Sequence, residues 1–249
     1  SQGDRLVNVL GEDHKLEARQ LQVALDIMDT GVRVEPVFYA FVSLPEGKMS
    51  TREGRGVYLD DLMDEAVGRA RDDTRQRRPE LDEEAVEAIA QAVGLGAVRY
   101  NILRVQPEKS MVFRWEEALN FEGASAPFIQ YSHTRACSIL KKAEEDGDPA
   151  SIIDPAEAAA QLAHESELTL IRHLARLPRI IDECAEDRKV HTLAAYANSL
   201  ASAFNAFYRD VPVLQAGSLR LPRLQLVLAS RNALANCLEA LGIASPEQM

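Results

Sequence analysis

The stretch RLVNVLGEDHKLEARQLQVALDIMDTGVRVEPVFYAFVSL, residues 5–44, decides how the first part of the chain folds. Residues 5–10 have the apolar character of a short buried strand, and residues 32–44 have the pattern of a second strand. Between the two strands, apolar side chains follow helical spacing up to a glycine at position 31: Leu16, Leu21, Leu25 and Met28. This order predicts a βαβ unit, whose parallel sheet binds ligands at the carboxyl ends of its strands.

Both loops expected at that edge of the sheet are polar and contain glycine. The first loop is GEDH, residues 11–14, and the second is LPEGKMSTREG, residues 44–54. In the second loop, Lys48 lies between Gly47 and the hydroxyl pair Ser50 and Thr51, where its ammonium group can approach a phosphate. The alternative is a solvated turn, but the position after a strand and before a helix favours phosphate binding.

From Asp60 onward the periodicity is almost entirely helical, and no further strand is expected. The pattern predicts helices over residues 59–73, 82–103, 126–147, 154–178, 190–210 and 223–243. Asp154 followed by Pro155 predicts a helix start, and the segments LPRI (177–180) and VPVL (211–214) predict helix ends. The predicted fold class is therefore mainly α: the end of a Rossmann-type α/β domain followed by an α-helical bundle, with the division between residues 1–120 and 121–249.

Composition and charge exclude several classes of protein. No apolar run approaches the roughly 20 residues of a membrane span, so we expect a soluble, cytoplasmic protein without membrane partners. The formal net charge of -11 is unfavourable for a surface that binds nucleic acid throughout, although 22 arginines against 6 lysines leave room for local basic patches. Cys137, Cys184 and Cys237 have no spacing typical of zinc ligands, and we predict no metal site built from protein side chains.

Residues 47–54, GKMSTREG, resemble the KMSKS signature of class I aminoacyl-tRNA synthetases, in the M-S-T-R form of arginyl-tRNA synthetases. The resemblance continues through residues 56–70, 97–140, 196–214 and 223–249, and so covers essentially the whole chain. Its most specific part is the F-x-G-x-x-A-P-F-x-Q-Y-x-x-x-R block, residues 121–135, together with the final methionine.

The resemblance implies an arginine–tRNA ligase, which activates L-arginine with ATP and Mg²⁺ and transfers it to a tRNA with an arginine anticodon. Residues 1–120 would then be the later part of the catalytic domain with its signature loop and a helical connector, and residues 121–249 the anticodon-binding domain. By the same resemblance, the candidate catalytic residues are Lys48, Ser50 and Arg52. The candidates for binding ATP or the amino acid are Gly11, Glu12, Asp13, His14 and Met49.

Two features depart from the family pattern. The second signature lysine is absent, so Arg52 or a residue elsewhere would supply its charge. No H-x-G-H signature precedes the loop, so we expect a carboxyl-terminal portion that does not aminoacylate alone. The loop at residues 11–14 has an alternative, equally supported reading in which Asp13 caps the following helix.

In the helical half, the resemblance makes four residues candidates for binding tRNA: Tyr131, Arg135, Tyr208 and Met249. Arg135 is a candidate for a phosphate contact, and the other three are candidates for the anticodon bases. Aromatic faces and a thioether can stack on unpaired bases. Phe204 and Phe207 are also candidates for contacts with anticodon bases, but a position in the core is favoured for both. Further basic residues are candidates for phosphate contacts: Lys141, Lys142, Arg188, Lys189, Arg209, Arg220 and Arg223. Trp115 is expected to be a packing anchor, and we assign no chemistry to the histidines of the helical half.

Three other interpretations compete with a monomeric ligase. The chain could be a stand-alone tRNA-binding module without catalysis. It could belong to a synthetase of cysteine or methionine type, although these usually carry zinc ligands. It could also be a helical scaffold without RNA, which predicts no salt-sensitive tRNA binding.

Overall fold

The fold is described from a computed structural model for residues 5–43, 58–121, 123–147 and 154–249. Contacts divide the chain into two compact units. Unit 1 comprises Ser1–Gly56 and Val105–Arg114, and unit 2 comprises Val57–Arg104 and Trp115–Met249. Residues 105–114 therefore return to the first unit after two helices of the second.

The predicted βαβ unit is confirmed in unit 1. Strand β1 (Leu6–Gly11) and strand β2 (Val34–Tyr39) pair in parallel, with Leu6 opposite Val34 and Gly11 opposite Tyr39. Helix α1 (Lys15–Ile27) connects them and is preceded by one 3-10 turn, Glu12–His14. Many apolar side chains on this unit are exposed in this chain, among them Val9, Leu16 and Ile27.

The strand predicted over residues 32–44 is in fact two strands, and the expectation that no strand follows it is wrong. Strand β3 (Val42–Ser43) pairs in parallel with β4 (Met111–Val112). The chain changes partner after Tyr39, because the Ala40 N–H donates to the Pro107 carbonyl at 2.7 Å. A strand of two residues is too short to produce an alternating pattern, so the sequence gives no signal for β4.

Unit 2 is helical in its described residues. Its elements are α2 (Leu59–Arg77), α3 (Glu83–Leu103), α4 (Trp115–Ala118), α5 (Ala126–Glu145), α6 (Pro155–Gln161), α7 (Glu165–Asp187), α8 (Val190–Asp210) and α9 (Arg220–Ala240). A 3-10 turn, Gly217–Leu219, precedes α9. No helix in the described ranges combines the length and apolar character needed to cross a bilayer.

Helices α2 and α3 form a closely packed hairpin. The Asp82 carboxylate caps α3 by accepting from the Ala85 N–H at 2.8 Å. A Cβ at Gly94 would lie 2.7 Å from the Val67 nitrogen and 2.8 Å from the Ala66 carbonyl, so only glycine permits this approach of the two backbones. Outside the contact, Arg71 pairs with Glu87 across the hairpin at 2.7 Å.

Helices α5, α7, α8 and α9 surround the main core of unit 2. Its largest fully buried side chains include Ile129, Leu170, Leu200, Leu224, Leu234 and Leu238. Phe204 and Phe207 belong to this core with 0% exposure each, which confirms the core position favoured from sequence.

The prediction of a single helix over residues 154–178 is wrong both in its middle and at its end. The start is confirmed, since the Asp154 carboxylate accepts from the Ala156 N–H, but α6 ends at Gln161 and α7 begins at Glu165. Helix α7 then continues through Pro178, where the sequence predicted an end. Proline costs helix stability. Here its ring lies on the exposed side, while Leu170 and Leu177 keep the other face of α7 in the core.

Candidate functional site

Three of the four predicted tRNA-binding residues form one cluster on the surface of unit 2. Tyr131 and Arg135 lie four residues apart on α5 and so share one helix face. The Arg135 guanidinium lies over the Tyr131 ring at 4.7 Å from its centre, and at 5.4 Å from the centre of the Tyr208 ring on α8. The two tyrosines remain 42% and 43% exposed, so their rings are accessible to a ligand.

Two residues that were not predicted from sequence, Asn205 and Ser132, hold Arg135 in place. Its guanidinium donates to the Asn205 side-chain oxygen at 2.6 Å, and the Asn205 amide donates to the Ser132 hydroxyl at 2.8 Å. The Ser132 hydroxyl in turn donates to the Phe128 carbonyl on its own helix at 2.8 Å. Asn205 precedes Tyr208 by three residues on α8, and this spacing is the signal that could have found it.

Arg135 differs from many other arginines of unit 2 in its ionic contacts. No carboxylate in the described part of the chain forms an ion pair with it, whereas many other arginines of unit 2 are paired. A chain with a net charge of -11 therefore presents, at this point, a cation flanked by two accessible aromatic rings. Such a combination attracts an anionic ligand that has flat unsaturated groups.

Met249, the fourth candidate, is brought beside the cluster by the segment that follows α9. The Pro246 carbonyl accepts from Thr134 Oγ1 at 2.8 Å and from His133 Nδ1 at 3.0 Å, both on α5. Gln130 Nε2 donates to the carbonyls of Ala92 on α3 and Ala244 at 2.9 Å each.

The end of this segment reaches the α2–α3 hairpin. Arg78 donates to the Met249 carbonyl, and the Met249 side chain packs against apolar residues of the hairpin. Residues 243–249, which we call the tail, thus connect α5 to α2 and α3.

His133 serves the tail and takes no further part in the site. Its ring is 4% exposed, and burial lowers the pKa of its imidazole below the ordinary value. Because a carbonyl only accepts, the Nδ1 atom that contacts Pro246 carries the proton.

Cavities lined by described residues open beside the cluster and beside the tail. One, of about 430 Å³, lies among α2, α3, Phe121, Tyr131 and Met249. The second, of about 420 Å³, has Lys141 and Lys142 in its wall and lies against the tail. The third, of about 360 Å³, is bordered by Arg135, Tyr208 and residues 211–215. Each has room for a nucleobase or a group of similar size.

The other basic candidates differ in how available they are. Arg223 is buried and binds Glu167 at 2.7 Å and the Pro212 carbonyl at 2.7 Å, so its suggested phosphate contact is wrong. Arg220 binds Asp146 at 3.0 Å, and Lys189 and Arg209 also pair with neighbouring acids. Of these candidates, Lys141 and Lys142 line a cavity next to the cluster.

The predicted nucleotide loop lies where β1 ends, in unit 1. Gly11 is buried, and a Cβ there would lie 2.5 Å from Asp13 Oδ1, so the absence of a side chain lets the Asp13 carboxylate fold back over the strand end. Glu12, Asp13 and His14 are exposed in the 3-10 turn. The alternative in which Asp13 caps the helix is wrong, because no side chain caps either the turn or α1.

The remaining catalytic and nucleotide-binding candidates, Lys48, Met49, Ser50 and Arg52, lie outside the described residues. Among the residues that are described, no group of three or more His, Cys, Asp or Glu side chains could hold a metal ion. Trp115, expected to be a packing anchor, begins α4 and receives the Arg69 guanidinium over its ring at 4.8 Å.

Comparisons with known protein families and proteins found matches along most of the chain. A family model described as a DALR anticodon binding domain matches residues 129–249, and one described as the catalytic domain of class I (R) tRNA synthetases matches residues 3–115. The chain is 48% identical over 253 residues to an arginine–tRNA ligase of Haloarcula marismortui, and the match covers 99% of this chain and 43% of that protein. An arginine–tRNA ligase of Methanosarcina mazei is 50% identical, with 100% of this chain and 43% of the relative covered.

Among solved structures, the arginyl-tRNA synthetase of Thermus thermophilus superposes with a TM-score of 0.87 and 32% identity. The superposition covers 100% of this chain and 42% of that one. The chain therefore spans less than half of the length of the relatives that it matches.

Proposed function

Because the chain belongs to the arginyl-tRNA synthetase family, we propose that it is the part of an arginine–tRNA ligase that completes the catalytic domain and binds the anticodon of the tRNA. Residues 1–120 would serve the catalytic side with a helical connector, and residues 121–249 the anticodon side. L-arginine, ATP and a tRNA with an arginine anticodon are the proposed substrates of the enzyme, which would work as a cytoplasmic monomer.

The observation that carries this proposal is the cluster of Arg135 with Tyr131 and Tyr208. An anticodon loop offers unstacked bases and closely spaced phosphates. Exposed tyrosine rings accept the bases, at about 1–3 kcal/mol for each stacked base. The Arg135 guanidinium lies over one ring and near the other, and among the described residues no carboxylate pairs with it, so it can attract the phosphates. Met249 adds a polarizable thioether beside Tyr131.

The catalytic side of the proposal rests on the family resemblance of the signature loop and on the geometry around β1. The buried glycine and exposed polar turn at residues 11–14 fit a bound nucleotide, since the backbone at the carboxyl end of a parallel strand is open to a ligand. The described residues form no carboxylate cage for a metal, so Mg²⁺ would come with the phosphates of ATP.

In this reaction the arginine carboxylate attacks the α-phosphate of ATP, and negative charge grows on the departing pyrophosphate. Lys48 would stabilise that charge, with Ser50, Met49 and Arg52 of the same loop positioned beside the nucleotide. Arg52 would supply the charge of the missing second lysine. No catalysis is proposed for this chain on its own.

The anticodon role is tested by binding an RNA hairpin that carries an arginine anticodon loop to the 249-residue chain. Tyr131→Leu and Tyr208→Leu should each raise the Kd by roughly 5-fold or more, because each removes one stacking surface. Tyr58→Leu is the matched control, since Tyr58 is an exposed tyrosine outside the cluster and should leave the Kd unchanged. If the wild-type chain and the three variants have equal Kd values, the proposed anticodon role is disproved.

The catalytic role is tested separately with Lys48→Ala in an active ligase that contains these residues. The rate of ATP–pyrophosphate exchange should fall by at least roughly 100-fold, the usual effect of losing one preorganised stabiliser of developing charge. An unchanged rate would exclude Lys48 from the transition state. Absence of exchange in every protein that contains this chain would instead favour a tRNA-binding module without catalysis.

A further inference from the structure

The cavity of about 360 Å³ beside Tyr208 has one wall without regular secondary structure. Residues 211–215, which we call the 211–215 segment, form this wall between the end of α8 and the 3-10 turn before α9. Side chains of α5 and α8, among them Arg135, border the rest of the cavity. Val211 and Val213 are buried in the core of unit 2. Because no helix or sheet ladder runs through the segment, its backbone depends on other contacts.

Two arginines at the start of α9 supply these contacts. Arg220 Nη1 donates to the Leu214 carbonyl at 2.8 Å, and Arg223 Nη1 donates to the Pro212 carbonyl at 2.7 Å. The two arginines lie three residues apart and share one face of α9, so both reach the same segment. Two backbone carbonyls that lie outside any helix or strand are thereby hydrogen-bonded.

An acidic residue on another helix holds each arginine in turn. Arg220 Nη2 donates to Asp146 Oδ2 at 3.0 Å, directly after the end of α5. Arg223 Nε donates to Glu167 Oε1 at 2.7 Å, in the first turn of α7. Hydrogen bonds between charged groups are stronger than those between neutral groups. The 211–215 segment is therefore connected through the two arginines to α5, α7 and α9.

Local helix preferences do not explain the positions of Arg220 and Asp146. The amino terminus of a helix is the positive end of its dipole, so an arginine that begins α9 is unfavourable there. Asp146 is likewise unfavourable at the negative end of α5. The first turn of α9 contains no acidic residue that would offset the charge of Arg220. Residues placed against a local preference are expected where they serve a tertiary contact or a function.

The two arginines support the cavity without forming its surface. Neither Arg220 nor Arg223 is among the described residues that line the cavity, and their side chains are 20% and 9% exposed. Their acidic partners also reduce their attraction for a phosphate. Their effect on a ligand is therefore indirect. A wall that is fixed before the ligand arrives lowers the cost of ordering the site on binding.

We infer that Arg220 and Arg223 are positioning residues for RNA binding, which hold the 211–215 segment so that the cavity beside Tyr208 is formed before the RNA arrives. They act through this cavity and do not touch the RNA. This inference rests on the proposed anticodon role, because the ligand whose affinity they raise is the same RNA loop.

The test combines Arg220→Gln with variants of the two tyrosines and measures the Kd of the 249-residue chain for an RNA hairpin with an arginine anticodon loop. Arg220→Gln alone should raise the Kd roughly 5-fold, because the segment must then be ordered on binding. Added to Tyr208→Leu, it should have little further effect, since both changes disable the same cavity. Added to Tyr131→Leu, it should multiply the two effects to roughly 25-fold, as independent sites do.

The salt dependence separates positioning from a direct contact. Arg220→Gln should leave the slope of log Kd against log salt concentration unchanged, because Arg220 contacts no phosphate. A slope reduced by about one would make Arg220 a phosphate contact and disprove the positioning role.

Hydrogen exchange measures the order of the segment itself. In Arg220→Gln, the amides of residues 213–215 should exchange faster than in the wild-type chain, while the amides of α8 keep their protection. Unchanged exchange at residues 213–215 would show that Arg220 does not hold the segment.

Two further variants make the result independent of a folding defect. Asp146→Asn removes the acidic partner of Arg220 at a side chain that is 47% exposed. It should raise the Kd less than Arg220→Gln, with the same dependence on Tyr208. Arg179→Gln is the matched control, because it breaks an exposed ion pair with Glu183 on α7 and should leave the Kd unchanged.

The outcomes separate the two proposals. If the hairpin binds, and Arg220→Gln and Asp146→Asn either leave the Kd unchanged or multiply their effects with that of Tyr208→Leu, the positioning role is disproved and the anticodon role stands. If the wild-type chain shows no salt-sensitive preference for the hairpin, the anticodon role fails and the positioning role fails with it.

Discussion

Arg135 and Arg223 show how one residue type takes opposite roles within unit 2. Arg135 is half-buried beside two exposed tyrosine rings and has no acidic partner among the described residues. The Arg223 side chain is instead 9% exposed and binds a Glu167 side chain that is 1% exposed. Glu167 also accepts from the Ala163 and His164 N–H groups at the start of α7. The two arginines cannot be told apart from sequence, because their partners are distant along the chain.

The buried pair gives a prediction for stability. Arg223→Met should lower the free energy of unfolding by about 3–5 kcal/mol, because it leaves the Glu167 carboxylate buried without its counter-charge. The double variant Glu167→Leu with Arg223→Met should recover much of this loss. Urea unfolding measures both, with Arg209→Met as an exposed control. A loss below about 1 kcal/mol in the single variant would mean that water reaches the pair.

Arg135 gives a prediction for binding. Arg135→Lys keeps the charge but loses the flat group that lies between the two rings, so the Kd for the RNA hairpin should rise roughly 10-fold. The dependence of log Kd on log salt concentration should stay the same, whereas Arg135→Gln should reduce its slope by about one. Identical slopes for Lys and Gln would show that Arg135 does not approach a phosphate.

The α2–α3 hairpin is the element where packing and helix propensity oppose each other. Gly94→Ala places a methyl group against the α2 backbone and should destabilise the chain by about 1–3 kcal/mol. Gly68→Ala on α2 is the matched change, because nothing lies within 4 Å of its Cβ, and it should stabilise by about 0.5–1 kcal/mol. Thermal unfolding of both variants checks the signs, and a stabilising Gly94→Ala would contradict the close packing.

The tail should respond to pH through His133. Its pKa is lower in the folded chain than the ordinary 6.5 because burial disfavours the charged ring. The hydrogen bond to the Pro246 carbonyl opposes this effect, Arg231 adds to it, and Glu247 opposes it. The unfolded chain therefore takes up the proton first as the pH falls. The stability due to the neutral ring is complete above about pH 6.5 and is lost as the pH falls through the folded pKa.

The corresponding measurement is hydrogen exchange of the tail from about pH 7 to about pH 5, after correction for the intrinsic rate. Protection of residues 243–249 should decrease over this range in the wild-type chain. His133→Asn keeps a donor near the Pro246 carbonyl but cannot titrate, so its protection should be less dependent on pH. Cys137, whose sulfur lies 3.7 Å from His133 Nε2, stays a neutral thiol because burial raises its pKa. If protection of the tail depends on pH equally in the wild-type chain and in His133→Asn, His133 is not the cause of that dependence.

Elements with a clear period could be predicted from sequence, and those decided by distant contacts could not. Helix α8 has the predicted bounds, 190–210, because its apolar face and the extended Val211 after it are both local features. Helix α7 passes through Pro178 because packing along its length outweighs the local preference to end. The pairing of β3 with β4 depends on residues almost 70 positions apart, and a pattern search does not detect such a pair.

At the scale of the whole molecule, the class of fold could be predicted from the order of periodicities, but the division into compact units needed coordinates. The described contacts group Val57–Arg104 with the bundle and Val105–Arg114 with the βαβ unit. The family resemblance also gave Tyr131, Arg135, Tyr208 and Met249 as separate candidates. Their convergence depends on the packing of α5 against α8 and on the hydrogen bonds of the tail, which no local pattern encodes.

If unit 2 binds the anticodon as proposed, it should distinguish an arginine anticodon from other loops, and a single titration measures this. The 249-residue chain is titrated with a tRNA carrying an arginine anticodon and with the same tRNA altered only in that loop, at one fixed salt concentration. We expect a Kd at least roughly 10-fold lower for the arginine anticodon, the equivalent of one lost base contact in the altered tRNA. Equal Kd values for the two tRNAs would contradict it.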